Sequence, residues 1–257
     1  MSDFRQRLLA GEGIIGTWVK TPSSIVCEVL ALTDLDVICL DAEHAPFGRL
    51  ELDQCLAISM AKGMSCLVRV PNMEASTILN ALDCGATGIV APHICTKESA
   101  EAFAKMCKFG GANGGTRGYA GSTRAAAFTT SPLSKNLEIN QTETVTIAQI
   151  EDIEALECLD DIASVDGIDC LFVGRIDLTV ALGAPSPMDD RVVDAVKKIC
   201  AVGKKHGKIV GMFTPSTDEI PMWRDVGASV FILGSEQSFI LSGAQAMKDN
   251  FSRKWEE

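Results

Sequence analysis

Short apolar runs rich in β-branched residues recur along the chain at 14–19, 37–40, 65–70, 88–91, 144–150, 170–173, 209–213 and 230–233. Runs this short, bounded by polar or glycine-bearing turns, predict strands buried on both faces. Between them, helical periodicity marks 23–32, 50–62, 74–84, 97–108, 153–162, 190–205 and 216–226. Three of these stretches open on capping residues: Thr21-Pro22, Thr96 ahead of Lys97-Glu98, and Ser216 ahead of Thr217-Asp218-Glu219.

Doubly buried strands that alternate with helices imply a parallel sheet covered by helices. Eight such units in 257 residues predict an α/β fold, a single (β/α)₈ TIM barrel over 1–257, ahead of an open doubly wound sheet. No strand-to-helix junction carries a G-x-G-x-x-G or Walker-type loop, which argues against dinucleotides and nucleoside triphosphates. The segment 109–143 breaks the alternation. It reads as a long glycine-rich loop and a polar stretch, either a flexible connection or a loop whose Arg117 and Arg124 contact an anionic substrate.

The formal charge of −11 and a pI near 4.8 argue against nucleic acid or an anionic membrane as partner, since both would repel the average surface. Ten cysteines never form a C-x-x-C pair and mostly sit inside apolar runs. They read as small buried hydrophobes of a reducing compartment. Charges in Asp3, Arg5 and Arg7 fall where a signal peptide needs an apolar core, and no window approaches a membrane span. The expectation is a soluble, cytoplasmic protein.

In a barrel of this kind, chemistry gathers at the C-terminal ends of the strands. Those ends carry Asp41, Glu43 and His44 on strand 2, Arg69 on strand 3 and Pro92-His93 on strand 4. Strand 5 ends in Gln149 and Glu151, strand 6 in Gly174-Arg175-Ile176-Asp177, strand 7 in Thr214 and strand 8 in Gly234-Ser235. Adjacent parallel strands lie about 5 Å apart, so Glu151 and Asp177 can share a cation. An all-oxygen pair suits Mg²⁺, Mn²⁺ or a similar divalent ion; the alternative is two helix caps or surface acids. Arg69 needs a partner at a strand end. It either stabilises a developing oxyanion or makes an ion pair with Asp41 or Glu43. His44, beside acids, is a candidate for proton transfer, whereas His93 reads as a hydrogen-bonding group at the rim and His206 as a solvated helix end. No lysine falls at a strand mouth, Lys20 being the nearest exception, which argues against a Schiff-base mechanism.

The ordered set Asp41-Ala42-Glu43-His44-Ala45-Pro46, Val68-Arg69-Val70-Pro71, Leu82-Asp83-Cys84-Gly85-Ala86, Gly115-Thr116-Arg117-Gly118, Gln149-Ile150-Glu151 and Phe172-Val173-Gly174-Arg175-Ile176-Asp177-Leu178 resembles the HpcH/HpaI family of metal-dependent class II pyruvate aldolases. The resemblance spans about residues 16–234. It implies a barrel that assembles into homo-oligomers, a trimer or hexamer, with C-terminal helices exchanged. It further implies Glu151 and Asp177 as ligands of a divalent cation (Mg²⁺, Mn²⁺ or Co²⁺), Gln149 near bound pyruvate, and Arg69 on the keto oxygen. His44 and Asp83 would form an acid/base dyad, and the backbone at Gly174 and Ile176 would hold the pyruvate carboxylate. The implied reaction cleaves or forms 4-hydroxy-2-oxo acids from pyruvate and an aldehyde. Arg175, where many members have Pro, would reach an acidic aldehyde or pair with Asp177. Competing readings are a citrate-synthase-like condensing enzyme of the same barrel and a non-catalytic barrel that binds 2-oxo acids.

Overall fold

The computed structural model describes residues 3–257. Eight parallel strands follow one another in chain order: β1 (Ile14–Val19), β2 (Val37–Asp41), β3 (Ser65–Arg69), β4 (Gly88–Ala91), β5 (Val145–Ile150), β6 (Cys170–Val173), β7 (Ile209–Thr214) and β8 (Val230–Ser235). Because β8 pairs with β1, the sheet closes, which decides between the barrel and the open sheet.

The helices in chain order are α1 (Phe4–Leu9), α2 (Ser24–Leu30), α3 (Arg49–Lys62), α4 (Ala75–Asp83), α5 (Lys97–Met106), α6 (Leu133–Glu143), α7 (Ile153–Glu157), α8 (Leu159–Ala163), α9 (Arg175–Ala181), α10 (Asp190–Lys205), α11 (Ile220–Asp225) and α12 (Glu236–Glu256). Period-two alternation sorts each strand between two cores. Trp18, Val37, Cys39, Leu67, Val90, Ile147 and Phe172 point into the barrel, and α1 closes its floor with Phe4 and Leu8. Ile38, Leu40, Val68, Ile89, Ala148 and Leu171 point outward against the helices.

Three local readings change. The stretch 153–162 is two helices, broken at Cys158. The Thr21-Pro22 cap is not used, since α2 starts after Ser23, whose side chain makes no capping bond. Thr96 does form a capping box with Ser99, and Ser216 accepts from the Asp218 amide. The region 109–143 is also less of a loop than its composition suggests, because it ends in α6. That helix lacks an apolar stripe and is anchored by polar contacts instead. Asn140 bonds the backbone of Phe109 (3.1 Å) and Cys107 (3.0 Å), and Asn136 bonds the Tyr119 hydroxyl (3.0 Å).

All ten cysteines are free and seven are buried. Helix α12 buries only Glu236 at its start, while Ile240, Leu241, Met247, Phe251 and Trp255 are exposed. Among the described residues, no helix is long and apolar enough to cross a membrane.

Candidate active site

The alternation that puts Val37 and Cys39 inside β2, and Leu67 inside β3, also turns Asp41 and Arg69 inward at the mouth. The two stand opposite each other in register. Arg69 donates to Asp41 Oδ1 from Nε (3.1 Å), with Nη2 at 2.9 Å, and its guanidinium lies 4.3 Å over the Trp18 ring. Trp18 in turn meets Phe172 edge-on at 5.9 Å, so the last interior layer of the barrel is the base on which Arg69 rests. Glu43 Oε2 stands 3.2 Å from Arg69 Nε. The ion-pair alternative for Arg69 is therefore realised with both acids, and it holds the guanidinium at the mouth.

Lys20 also reaches the mouth, contrary to expectation, with Nζ 3.2 Å from Asp41 Oδ2. Burial alone would raise the Asp41 carboxyl, but Arg69, the His44 amide (3.1 Å) and Lys20 together bring it below its ordinary value.

Across the mouth, Gln149 is the last inward residue of β5 and donates from Nε2 to Glu151 Oε2. The His93 amide donates to Glu151 Oε1 at 2.9 Å. Burial nonetheless pushes the Glu151 carboxyl upward, and the charge of Asp177 adds to that rise. Gly174 is required here: a Cβ would lie 2.5 Å from Glu151 Cβ and 2.7 Å from its Oε2. Asp177 and Ile176 are exposed in the first turn of α9. Two deeply buried acceptors, Gln149 Oε1 and Thr214 Oγ1, have no partner.

This donor set fits a divalent cation. Glu151 is a buried acid whose carboxyl burial raises despite two neutral donors, Asp177 is close enough to perturb it, and an orphaned amide oxygen lies beside them. His93 joins the same group. Its ring Nδ1 lies 3.0 Å from Asp152 Oδ2 and 3.4 Å from Glu151 Oε1, and its Nε2 lies 3.8 Å from Glu43 Oε1. Ligand atoms of His93, Glu151 and Asp152 all fall within 4.8 Å of one another. From the sequence His93 reads only as a rim group, because a loop histidine between Pro92 and Ile94 carries no spacing signal.

Other residues are not brought together. The His44 ring is half exposed and faces Glu43, with Nε2 3.8 Å from Oε2. Asp83 ends α4, which runs back antiparallel to the strands and so finishes at the opposite end of the barrel. There it bonds Arg117 at 2.6 Å. Within one chain, His44 and Asp83 form no dyad. Arg117 and Arg124 are likewise at the far end, and Arg124 pairs with Asp53 at 2.9 Å. Both line a cavity of about 650 Å³ beside the strand starts Ser65, Cys66 and Thr87, so in this chain neither arginine meets a substrate at the mouth.

Arg175 reaches neither Asp177 nor open space. It is fully buried, with Nη1 2.5 Å from Glu219 Oε2 and its guanidinium 5.3 Å from the Trp223 ring, bracing the loops after β6 and β7.

The model of the HpcH/HpaI aldolase/citrate lyase family matches residues 15–242. A 4-hydroxy-2-oxovalerate aldolase of Rhodococcus jostii (strain RHA1) is 29% identical over 98% of this chain and 97% of its own length. The crystal structure of an HpcH/HpaI aldolase/citrate lyase family protein from Burkholderia cenocepacia J2315 superposes with a TM-score of 0.92 at 29% identity, covering 98% of this chain and 100% of that one. The citrate synthase SbnG has a TM-score of 0.87 at 28% identity, with 98% of each chain covered. With fold, mouth and family model in agreement over most of its length, this chain belongs to the HpcH/HpaI aldolase/citrate lyase family.

Proposed function

We propose that this protein is a metal-dependent class II pyruvate aldolase that cleaves or forms 4-hydroxy-2-oxo acids from pyruvate and an aldehyde. The observation that carries this reading is the convergence of Arg69, Gln149 and the buried Glu151 on one mouth, with Asp177 beside them. Glu151 and Asp177 would hold Mg²⁺, Mn²⁺ or Co²⁺, and the ion would supply Lewis-acid stabilisation of negative charge on the substrate's keto oxygen. Arg69, fixed by Asp41 and Trp18, presents a guanidinium to the same oxygen as the enolate forms. Gln149 would lie beside bound pyruvate; the Gly174 amide already donates to the Ile150 carbonyl (3.0 Å), so of the two backbone positions expected at the carboxylate the Ile176 amide is the one to face it.

In cleavage, His44 removes the proton from the C4 hydroxyl, the C3–C4 bond breaks, the aldehyde leaves, and the enolate is reprotonated at C3. Glu43 is the carboxylate beside His44 in its own chain. Asp83 would complete the dyad only from a second copy. The homo-oligomer, a trimer or hexamer, belongs to the same reading, and the exposed apolar positions of α12 support it. A cytoplasmic location is supported by the free cysteines.

The likeness to a citrate synthase favours one second reading, a condensing enzyme acting on a different enolate. A pyruvate-release assay over a panel of 4-hydroxy-2-oxo acids, with EDTA and with added Mg²⁺, Mn²⁺ or Co²⁺, separates the two. The expected result is release that EDTA abolishes and metal restores. No release under any metal condition sinks the aldolase reading.

A further inference from the structure

Beyond Glu151 and Asp177, the mouth holds an imidazole that the proposed reaction leaves unused. His93 stands among three carboxylates from the ends of β2 and β5: Glu43, Glu151 and Asp152. Its Nδ1 is 3.0 Å from Asp152 Oδ2 and 3.4 Å from Glu151 Oε1. Two atoms bound to one divalent ion at about 2.1 Å stand about 3.0 Å apart at a right angle and about 3.4 Å apart at a tetrahedral angle. Without an ion the shorter of the two is a hydrogen bond, and both spacings are also those of neighbouring positions in one coordination sphere.

The backbone supports the same reading. His93 has φ +54°, a left-handed conformation unfavourable for a residue with a Cβ and one that Gly would adopt freely. In that conformation its amide reaches Glu151 Oε1 while the ring lies over the same oxygen. The ring is largely exposed, so an ion can reach it from solvent.

We propose that His93 is a nitrogen ligand of the cation held at Glu151, giving this protein a mixed carboxylate and imidazole site with Asp152 adjoining it. The inference rests on the aldolase reading only for Glu151 as a metal ligand. An imidazole ligand shifts preference away from Mg²⁺, which favours oxygen donors and ordered water, toward Mn²⁺ and especially Co²⁺.

Two measurements on the full-length protein decide this. Pulsed EPR of the Mn²⁺-loaded parent protein is expected to show hyperfine coupling to a directly bound ¹⁴N. Absence of that coupling overturns the proposal and needs no variant. His93→Gly removes the ring but keeps both the left-handed backbone and the amide that bonds Glu151. By calorimetry, its Co²⁺ affinity is expected to fall about 10–100-fold, with Mg²⁺ affinity changing less than about 3-fold. An equal loss for both ions, or none, makes His93 an orienting or proton-transfer group and overturns the proposal. Glu151→Gln separates this from the underlying reading. If it binds Mg²⁺ and Co²⁺ as the parent does, the site assignment itself fails. If it loses both while His93→Gly keeps its Co²⁺ affinity, only the inference about His93 fails.

Discussion

The two ends of the barrel handle charge differently. At the mouth, Asp41 engages both Lys20 and Arg69, Glu43 stands beside Arg69 and Arg175 pairs with Glu219, whereas among the described residues no lysine or arginine pairs with Glu151, Asp152 or Asp177. At the floor, arginines and acids are paired: Arg5 with Asp169, Arg117 with Asp83, Arg124 with Asp53, and Arg7 with both Asp36 and Glu12. Breaking a pair at the floor strands a charge, whereas removing the Glu151 carboxylate at the mouth relieves its burial and the repulsion of Asp177. Uncompensated negative charge in a buried position is costly to folding, so its presence at one end only marks that end as built for a cation.

The largest expected effect tests that contrast directly. Glu151→Gln should lower pyruvate release by about 10³-fold or more, because the cation would lose its buried ligand. Thermal unfolding of the metal-free variant should be no easier than for the parent. Asp169→Asn should show the reverse pattern, losing about 2–4 kcal/mol by stranding Arg5 and disturbing the bonds Asp169 accepts from Thr146, with near-normal turnover per folded molecule. A destabilised Glu151→Gln would show that the mouth acid is a structural partner after all. Next in size, Arg69→Ala should lose about 10²–10³-fold in kcat and also lower the melting temperature, since Asp41 keeps only Lys20 and an amide. Near-normal turnover would remove Arg69 from the mechanism.

Much of this was legible in the sequence because period-two alternation is a local signal. All eight strands lie within two residues of their expected bounds, and their ends delivered Asp41, Arg69, Gln149 and Glu151 to one mouth. What escaped was set by tertiary packing. Helix α6 has no apolar stripe to betray it, because it is held by Asn136 and Asn140. Arg175 reads as a cation for an acidic aldehyde or for Asp177 but pairs with Glu219, 44 positions on. Asp83 was expected beside His44, yet the direction of α4 carries it to the floor.

That displacement of Asp83 gives the next prediction. His44→Ala should lower kcat about 10²-fold or more through loss of the base. Asp83→Asn should lower it less, while loosening the Arg117 contact. If Asp83 serves the mouth of another copy, mixing unfolded His44→Ala and Asp83→Asn chains and refolding them together should restore part of the activity that neither variant has alone. Mixtures no more active than the sum of the variants would confine Asp83 to its floor contact with Arg117.

The smallest effect divides the mouth itself. Asp41 behaves like a floor acid: Arg69, Lys20 and the His44 amide outweigh its burial and lower its carboxyl below the ordinary 3.8, whereas burial raises Glu151. A carboxyl with a lowered value in the folded state stabilises folding above about pH 3.8, and that contribution is lost as pH falls through the lower, folded value. Urea unfolding of parent and Asp41→Asn should therefore differ most near neutral pH and converge as pH drops below 4. A gap that stays constant across that window would mean that Asp41 contributes through shape and hydrogen bonding, not charge. The mouth would then have no acid of its own held ionised by its partners, and the contrast with the floor would be complete.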